Sequence, residues 1–242
     1  MNRHDSSLTI NLAGNLTPVQ IGGEPHYEAP VVILTEGVHV GSQGPHYYPP
    51  DEIAASAQHW NNIVVTANHP VSGYDFVSAK DPRVNEQFGI GYLKDIRYEA
   101  RPQPRLRGKV VLNLRKIQQK APFIQQLLTA GNAEVSTGLF SNDEAVHGVW
   151  NSEPYQSIVR DIRPDHLAIL TESKGACSWA DGCGIRANQN QGGNTAMTNN
   201  EEPLELPQTF NATKQEAARL VGNSGEEAPL ELPVTFGEVN RG

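Results

Sequence analysis

Apolar positions along the chain switch between a spacing of two and a spacing near 3.6, and the switches mark out elements. Leu8, Ile10 and Leu12 alternate with Thr9 and Asn11, the pattern of a half-buried strand, and Gly22-Gly23-Glu24-Pro25 breaks it. Val31-Val32-Ile33-Leu34 is a short apolar run with β-branched bias, a second strand. Gly41 to Pro50 reads as a loop of Gly, Pro and Tyr. Pro49-Pro50-Asp51 then opens a helix to about Trp60, with acidic side chains in the first turn where the macrodipole favours them. Ile63-Val64-Val65-Thr66 predicts a buried strand that delivers His69 to a loop closed by Pro70. Ser72 to Glu86 reads as a polar loop. Phe88–Tyr98 and Leu106–Leu114 read as strands joined by a turn at Ala100–Arg105. Ile117, Phe123, Ile124, Leu127 and Leu128 fall at helical spacings, so a helix is expected over about Lys116–Ala130, interrupted at Pro122 and ended by Gly131. Ala133–Phe140 is a strand carrying Ser136, Val146–Ile162 is hairpin-like, and Asp165–Thr171 is the last strong strand. The expected class is α+β, mostly β.

The pattern stops near Asn188. Beyond it the chain is rich in Asn, Gln, Glu and Pro, with too little apolar surface to offset the entropy of ordering, so a disordered tail is expected. The organisation is therefore an N-terminal strand or arm over 1–26, a packed domain over 27–187 and a tail over 188–242. Within the tail, Glu201-Glu202-Pro203-Leu204-Glu205-Leu206-Pro207-Gln208-Thr209-Phe210 recurs as Glu226-Glu227-Ala228-Pro229-Leu230-Glu231-Leu232-Pro233-Val234-Thr235-Phe236. Two polar copies do not make a solenoid; they read as linear binding motifs or cleavage-site-like segments. A short helix is expected between them over Thr213–Val221.

Composition narrows the partners. The net charge is −8, and no Lys/Arg cluster forms a stripe, so the counterion-release term behind nucleic-acid binding has no source. No apolar run approaches a membrane span, and the start of the chain lacks a signal-peptide apolar core. A soluble protein of a cytoplasm is expected. Cys177 and Cys183 have neither a zinc-ribbon spacing nor a nearby histidine pair, so two neighbouring thiols are expected in a reducing cytosol, a tight disulfide loop after lysis being left open.

Serine hydrolysis needs a hydroxyl nucleophile, an imidazole to take its proton, and a third group to fix that imidazole's tautomer. Ala67-Asn68-His69-Pro70, Ala133-Glu134-Val135-Ser136-Thr137-Gly138 and Pro164-Asp165-His166-Leu167-Ala168 supply such parts. With 8 histidines in the chain, spacing alone does not select among them. His69 sits just beyond a buried strand, a rigid support for a loop side chain. Gly138 lets another segment approach Ser136 closely.

Thr35-Glu36-Gly37-Val38, Trp60-Asn61-Asn62 and Asn68-His69-Pro70 together resemble the prohead (capsid maturation) proteases of tailed phages. Gly89-Ile90-Gly91, Glu134-Val135-Ser136-Thr137-Gly138 and Asp165-His166-Leu167-Ala168-Ile169-Leu170 continue the likeness over about Val31–Arg186. That family is distantly similar to the herpesvirus assemblins. The resemblance implies a compact β-barrel flanked by a few helices, Ser136 as nucleophile and His69 as general base. It places the third member at His166, with Asp165 as rival. Successive strand residues point to opposite faces, so only one of the two should face His69, and His166 is preferred. A neutral histidine stabilises an imidazolium less than a carboxylate does, so modest turnover is expected. The implied activity is cleavage of scaffold and of the chain itself during head maturation, without metal or cofactor. The implied partners are scaffold and major capsid proteins with self-association, inside the immature prohead in the host cytoplasm. Oxyanion donors are sought among backbone N–H groups near Ser136–Gly138; Arg160 and Arg163 read rather as surface ion pairs.

Other residues read more plainly. His39 and His46 are expected to be solvated loop histidines, and His147 part of a hairpin. Trp60, Trp150 and Trp179 are read as packing residues, and Gly89-Ile-Gly91 as a bulge or close-packing site rather than a dinucleotide fingerprint. Two other functions stand beside the protease: an inactive protease-fold scaffolding protein, and a metal-dependent hydrolase using His69, His166 and the cysteines.

Overall fold

The computed structural model describes residues 16–73 and 75–186. The expected strand Leu8–Leu12, the expected disordered tail, its duplicated motif and the helix Thr213–Val221 lie outside these residues. In chain order the strands are β1 Thr17–Ile21, β2 Glu24–Thr35, β3 Gly37–Gly41 and β4 Gly44–Tyr48. Helix α1 (Pro50–Ser56) runs into a 3-10 turn Ala57–Trp60. There follow β5 Val64–Ala67, the hairpin β6 Val71–Ser72 and β7 Asp75–Phe76, and α2 Pro82–Phe88. The long pair β8 Gly89–Glu99 and β9 Arg105–Asn113 leads into α3 Leu114–Lys120 and α4 Pro122–Ala130. The chain then forms β10 Asn132–Ala133, β11 Val135–Phe140, β12 Gly148–Trp150, β13 Glu153–Tyr155, β14 Ser157–Ile158, β15 Arg163–Ile169 and β16 Gly184–Arg186.

The main sheet is paired in the order β10-β16-β2-β9-β8-β5-β15-β11, with β1 added to β2. It is an α+β arrangement dominated by strands, and its ladder is an open path; among the described residues it does not close into a barrel. Its two end strands are nevertheless consecutive in the chain, separated by Glu134 alone. The sheet must therefore curl until its edges meet at that residue, three positions after Gly131 and two before Ser136. Gly131 makes this turn possible: at φ 89° it ends α4 in the left-handed conformation, and its N–H closes on the Leu127 and Leu128 carbonyls.

Apolar side chains from both covering helices and sheet make one core. Ile53 and Trp60 from the α1 region and Ile117, Ile124 and Leu128 from α3 and α4 pack with Ile33, Leu93, Leu112, Leu167 and Ile169. Trp60 is a core residue as expected, its indole N–H donating to Ser56 Oγ at 3.3 Å. Trp150 lies beside Tyr47 and Trp179 lies under the Arg186 guanidinium. No described helix is long and apolar enough to cross a membrane.

Three expectations are corrected. Gly41–Pro50 is not a loop: β3 and β4 form a hairpin, extended by the parallel strand β14. The stretch 72–86 holds a hairpin strand and a helix. That helix buries none of its residues and has no apolar stripe to betray it, but Asp81 caps it, its carboxylate accepting from Arg83 N at 2.8 Å ahead of Pro82. Cys177 and Cys183 are joined as a disulfide rather than left as thiols.

Candidate active site

The segment that carries His69 is held at both ends. Asn68 takes the left-handed conformation (φ 60°), which Asn tolerates better than most residues. Its N–H donates to the Ile169 carbonyl at 3.0 Å, and its side-chain oxygen accepts from Thr171 N at 3.2 Å. Since β5 and β15 are parallel neighbours, these bonds tie the two strand ends together and aim His69 across β15. Beyond Pro70, the hairpin β6–β7 brings Phe76 edge-on to the imidazole, ring centroids 5.6 Å apart.

His166 lies at 2.7 Å, its Nε2 facing His69 Nδ1, and its own Nδ1 lies 2.7 Å from Asp165 Oδ2. Proton positions follow from chemistry. A carboxylate only accepts, so His166 Nδ1 donates to Asp165. The remaining nitrogen of a neutral His166 is then an acceptor, and His69 Nδ1 donates to it. That leaves His69 Nε2 with a free lone pair, the form a general base requires. Asp165 accepts further from Ala79 N at 2.9 Å and from the Ser78 hydroxyl. Burial opposes the charge of Asp165, but the hydrogen bonds from His166, Ser78 and Ala79 outweigh it and hold the carboxyl below its ordinary range.

The expected choice between Asp165 and His166 is thus replaced by a series, Asp165–His166–His69. The reason is a β-bulge. Gly138 pairs with His166 and Leu139 pairs with Pro164, leaving Asp165 as the extra residue on β15. A bulge breaks strict alternation, so two adjacent side chains, 3% and 5% exposed, meet instead of pointing apart.

Ser136 belongs to the neighbouring strand. It pairs with Ala168, and Gly138 pairs with His166, so Ser136 and His166 share one face as diagonal neighbours, about 7–8 Å apart. Ser136, His69, His166 and Asp165 line one cleft of about 510 Å³. Ser136 is half-buried, and its hydroxyl makes no hydrogen bond among the described residues, to His69 or to any other group. The strand is fixed just upstream: the Glu134 carbonyl accepts from Leu170 N at 2.9 Å and its carboxylate from Trp179 N at 3.1 Å. Gly138 serves a closer approach than sequence suggested, because it is the His166 ring that lies against its Cα.

Arg160 and Arg163 stand away from the cleft. Arg160 pairs with Glu144, Glu52 and Asp51, and Arg163 with Asp161, as surface ion pairs. The disulfide leaves Cys177 and Cys183 no thiolate for a metal.

His39 and His46 are buried, not solvated, and sit on β3 and β4. His46 is 8% exposed and lines the same cleft, with Nδ1 2.5 Å from Ser157 Oγ and 3.1 Å from Asp143. Serine and aspartate share one ring nitrogen there, so this trio is not a relay; a relay needs them on opposite nitrogens. Ser78, Ala79, Phe76 and His46 were not legible as site residues. A serine or alanine in a polar loop carries no periodic signal, and the sequence places His46 among turn-forming residues.

Two imidazoles, the half-buried His69 and the buried His39, also set a pH dependence. His69 is pushed down to about 4, chiefly by burial and then by the neighbouring His166, and burial holds His39 below its ordinary value. An unfolded histidine takes up a proton near pH 6.5, whereas these stay neutral in the native state. Stability contributed by the neutral forms is therefore complete above about pH 6.5 and declines as the pH falls below it, the His69 part being lost towards pH 4. Thermal midpoints are expected to fall over that window, and His69→Gln to flatten the slope. An unchanged slope would assign the acid sensitivity to other groups.

No protein-family model, curated protein or solved structure matches this chain.

Proposed function

We propose that this protein is a serine endopeptidase of the prohead-maturation kind, with the assemblin-like architecture that its sequence resembles. The observation that carries the reading is the series Asp165–His166–His69, buried at Asp165 and His166 and opening through the half-buried His69 onto the cleft that holds Ser136. The Ser136 hydroxyl attacks the scissile carbonyl carbon while its proton passes to His69 Nε2. The positive charge formed on His69 is met by His166, which Asp165 orients and polarises. The tetrahedral oxyanion collapses, the amine departs with the proton from His69, and water entering by the same route hydrolyses the acyl-enzyme. Backbone N–H groups of β11 near Ser136–Gly138 are the candidates to receive the oxyanion. On this reading the substrates are scaffold and capsid proteins and the chain itself, inside the prohead, and the enzyme self-associates.

The second reading, an inactive protease-fold scaffolding protein, is favoured by the absence of a bond between Ser136 and His69. Catalytic contacts often tighten only when substrate binds, which is why the protease is preferred. Expression of wild type and Ser136→Ala, followed by intact-mass measurement, separates the two. Shortening in wild type alone supports the enzyme, and identical intact masses in both favour the scaffold.

A further inference from the structure

β11 is an end strand of the main sheet, and its ladder with β15 uses only one of its edges. Among the described residues, no other backbone hydrogen bond involves Ser136 to Phe140. Every residue from Ser136 to Ser141 lines the cleft, so the cleft runs as a groove along the strand for about 17–20 Å. An unpaired strand edge offers alternating donors and acceptors to an extended main chain and to little else. Two aromatic side chains flank the groove. Phe76, beside His69, is 65% exposed, and Phe140, four residues beyond Ser136, is 54% exposed. Exposed aromatic faces on a groove offer contact area to the apolar side chains of a bound peptide.

The ligand that fits is an extended peptide with apolar residues at alternate positions. This chain carries two such segments in the 187–242 portion that follows its last described strand. Pro203-Leu204-Glu205-Leu206-Pro207 and Pro229-Leu230-Glu231-Leu232-Pro233 each set two leucines at alternate positions, and one residue after each closing proline comes a Thr-Phe. Proline at both ends disfavours a helix and pushes the preceding leucine to extended geometry. We infer that the groove along β11 binds these duplicated segments, presented by a second copy of the chain, as an added strand, their leucines against Phe76 and Phe140. The inference rests on the hydrolytic reading only in laying the bound peptide across Ser136.

The test uses the full chain carrying Ser136→Ala, with Leu204, Leu206, Leu230 and Leu232 changed to Ser so that its own segments do not compete. A fluorescein-labelled peptide of residues 201–211 is added and its anisotropy followed. Saturable binding is expected, weakened about tenfold or more by Phe140→Ser, by Phe76→Ser, or by serine in place of the two peptide leucines. Phe140→Leu should retain most of the affinity. Thermal melting of each variant shows that these exposed positions leave the fold intact. Absence of saturable binding, or binding indifferent to both phenylalanines, overturns the inference. Peptide cleavage by the chain with Ser136 restored is measured separately. Binding without cleavage leaves the docking standing and removes the hydrolysis. Self-shortening of wild type without peptide binding does the reverse.

Discussion

Under the proposed hydrolytic mechanism, Asp165→Asn is expected to lower the rate of peptide hydrolysis by about two to four orders of magnitude while leaving the protein folded. The geometry explains why the effect falls on rate. Asp165 Oδ2 receives both His166 Nδ1 and Ala79 N, and Oδ1 receives the Ser78 hydroxyl. An asparagine oxygen at the Oδ2 position keeps the first two bonds, and the serine hydroxyl rotates to accept from the new amide. What disappears is the negative charge behind an imidazole pair that, in the proposed mechanism, becomes cationic when Ser136 gives up its proton. Melting curves close to wild type with slow turnover are the expected pairing. Unchanged turnover would mean that the His166–Asp165 contact is structural, with His69 acting alone.

The same series predicts how the rate follows pH. With His69 held down to about 4, kcat/KM should stay nearly level from pH 7 to pH 5 and fall only near 4, if the free enzyme's base is this imidazole. A base that weak takes a proton less readily, which agrees with the modest turnover expected from a histidine in the third position. An inflection near 6.5 would instead assign the base to an imidazole in an ordinary environment.

Much of the scaffold was legible because burial is written in periodicity. The pair β8 and β9, the core tryptophan at 60 and the α3–α4 break at Pro122 follow from apolar spacing and from proline's missing N–H. So does the glycine stop at 131. The hairpin of β3 and β4 was hidden because glycine, proline and tyrosine dominate it, and what buries His39 and His46 is tertiary contact. Helix α2 was hidden for the opposite reason: it buries nothing, and only its Asp81-Pro82 start is a signal. At the site, Ser136, His69, His166 and Asp165 were all named from sequence. Their order was not, because strand alternation assumes an unbroken ladder, and the extra residue at Asp165 depends on pairing that no local pattern reveals.

Gly138 offers the sharpest separation of geometry from chemistry. A Cβ at this position would overlap the Cε1, Nδ1 and Nε2 atoms of the His166 ring, so the ring occupies space that only glycine leaves open. Gly138→Ala must therefore either drive His166 off His69 or part β11 from β15 at the bulge. Overpacking of this kind costs about 1–3 kcal/mol, and loss of the His69–His166 bond frees the base to adopt the wrong tautomer. A fall in hydrolysis of more than about a hundredfold is expected, together with a lowered thermal midpoint. Adding His166→Ala to Gly138→Ala removes the clash, so the double variant should regain the midpoint lost by Gly138→Ala but not the activity. Recovery of both would show that His166 only fills space, and His69 would then need no partner to act as base. Recovery of stability alone ties this glycine to catalysis through the one ring it makes room for.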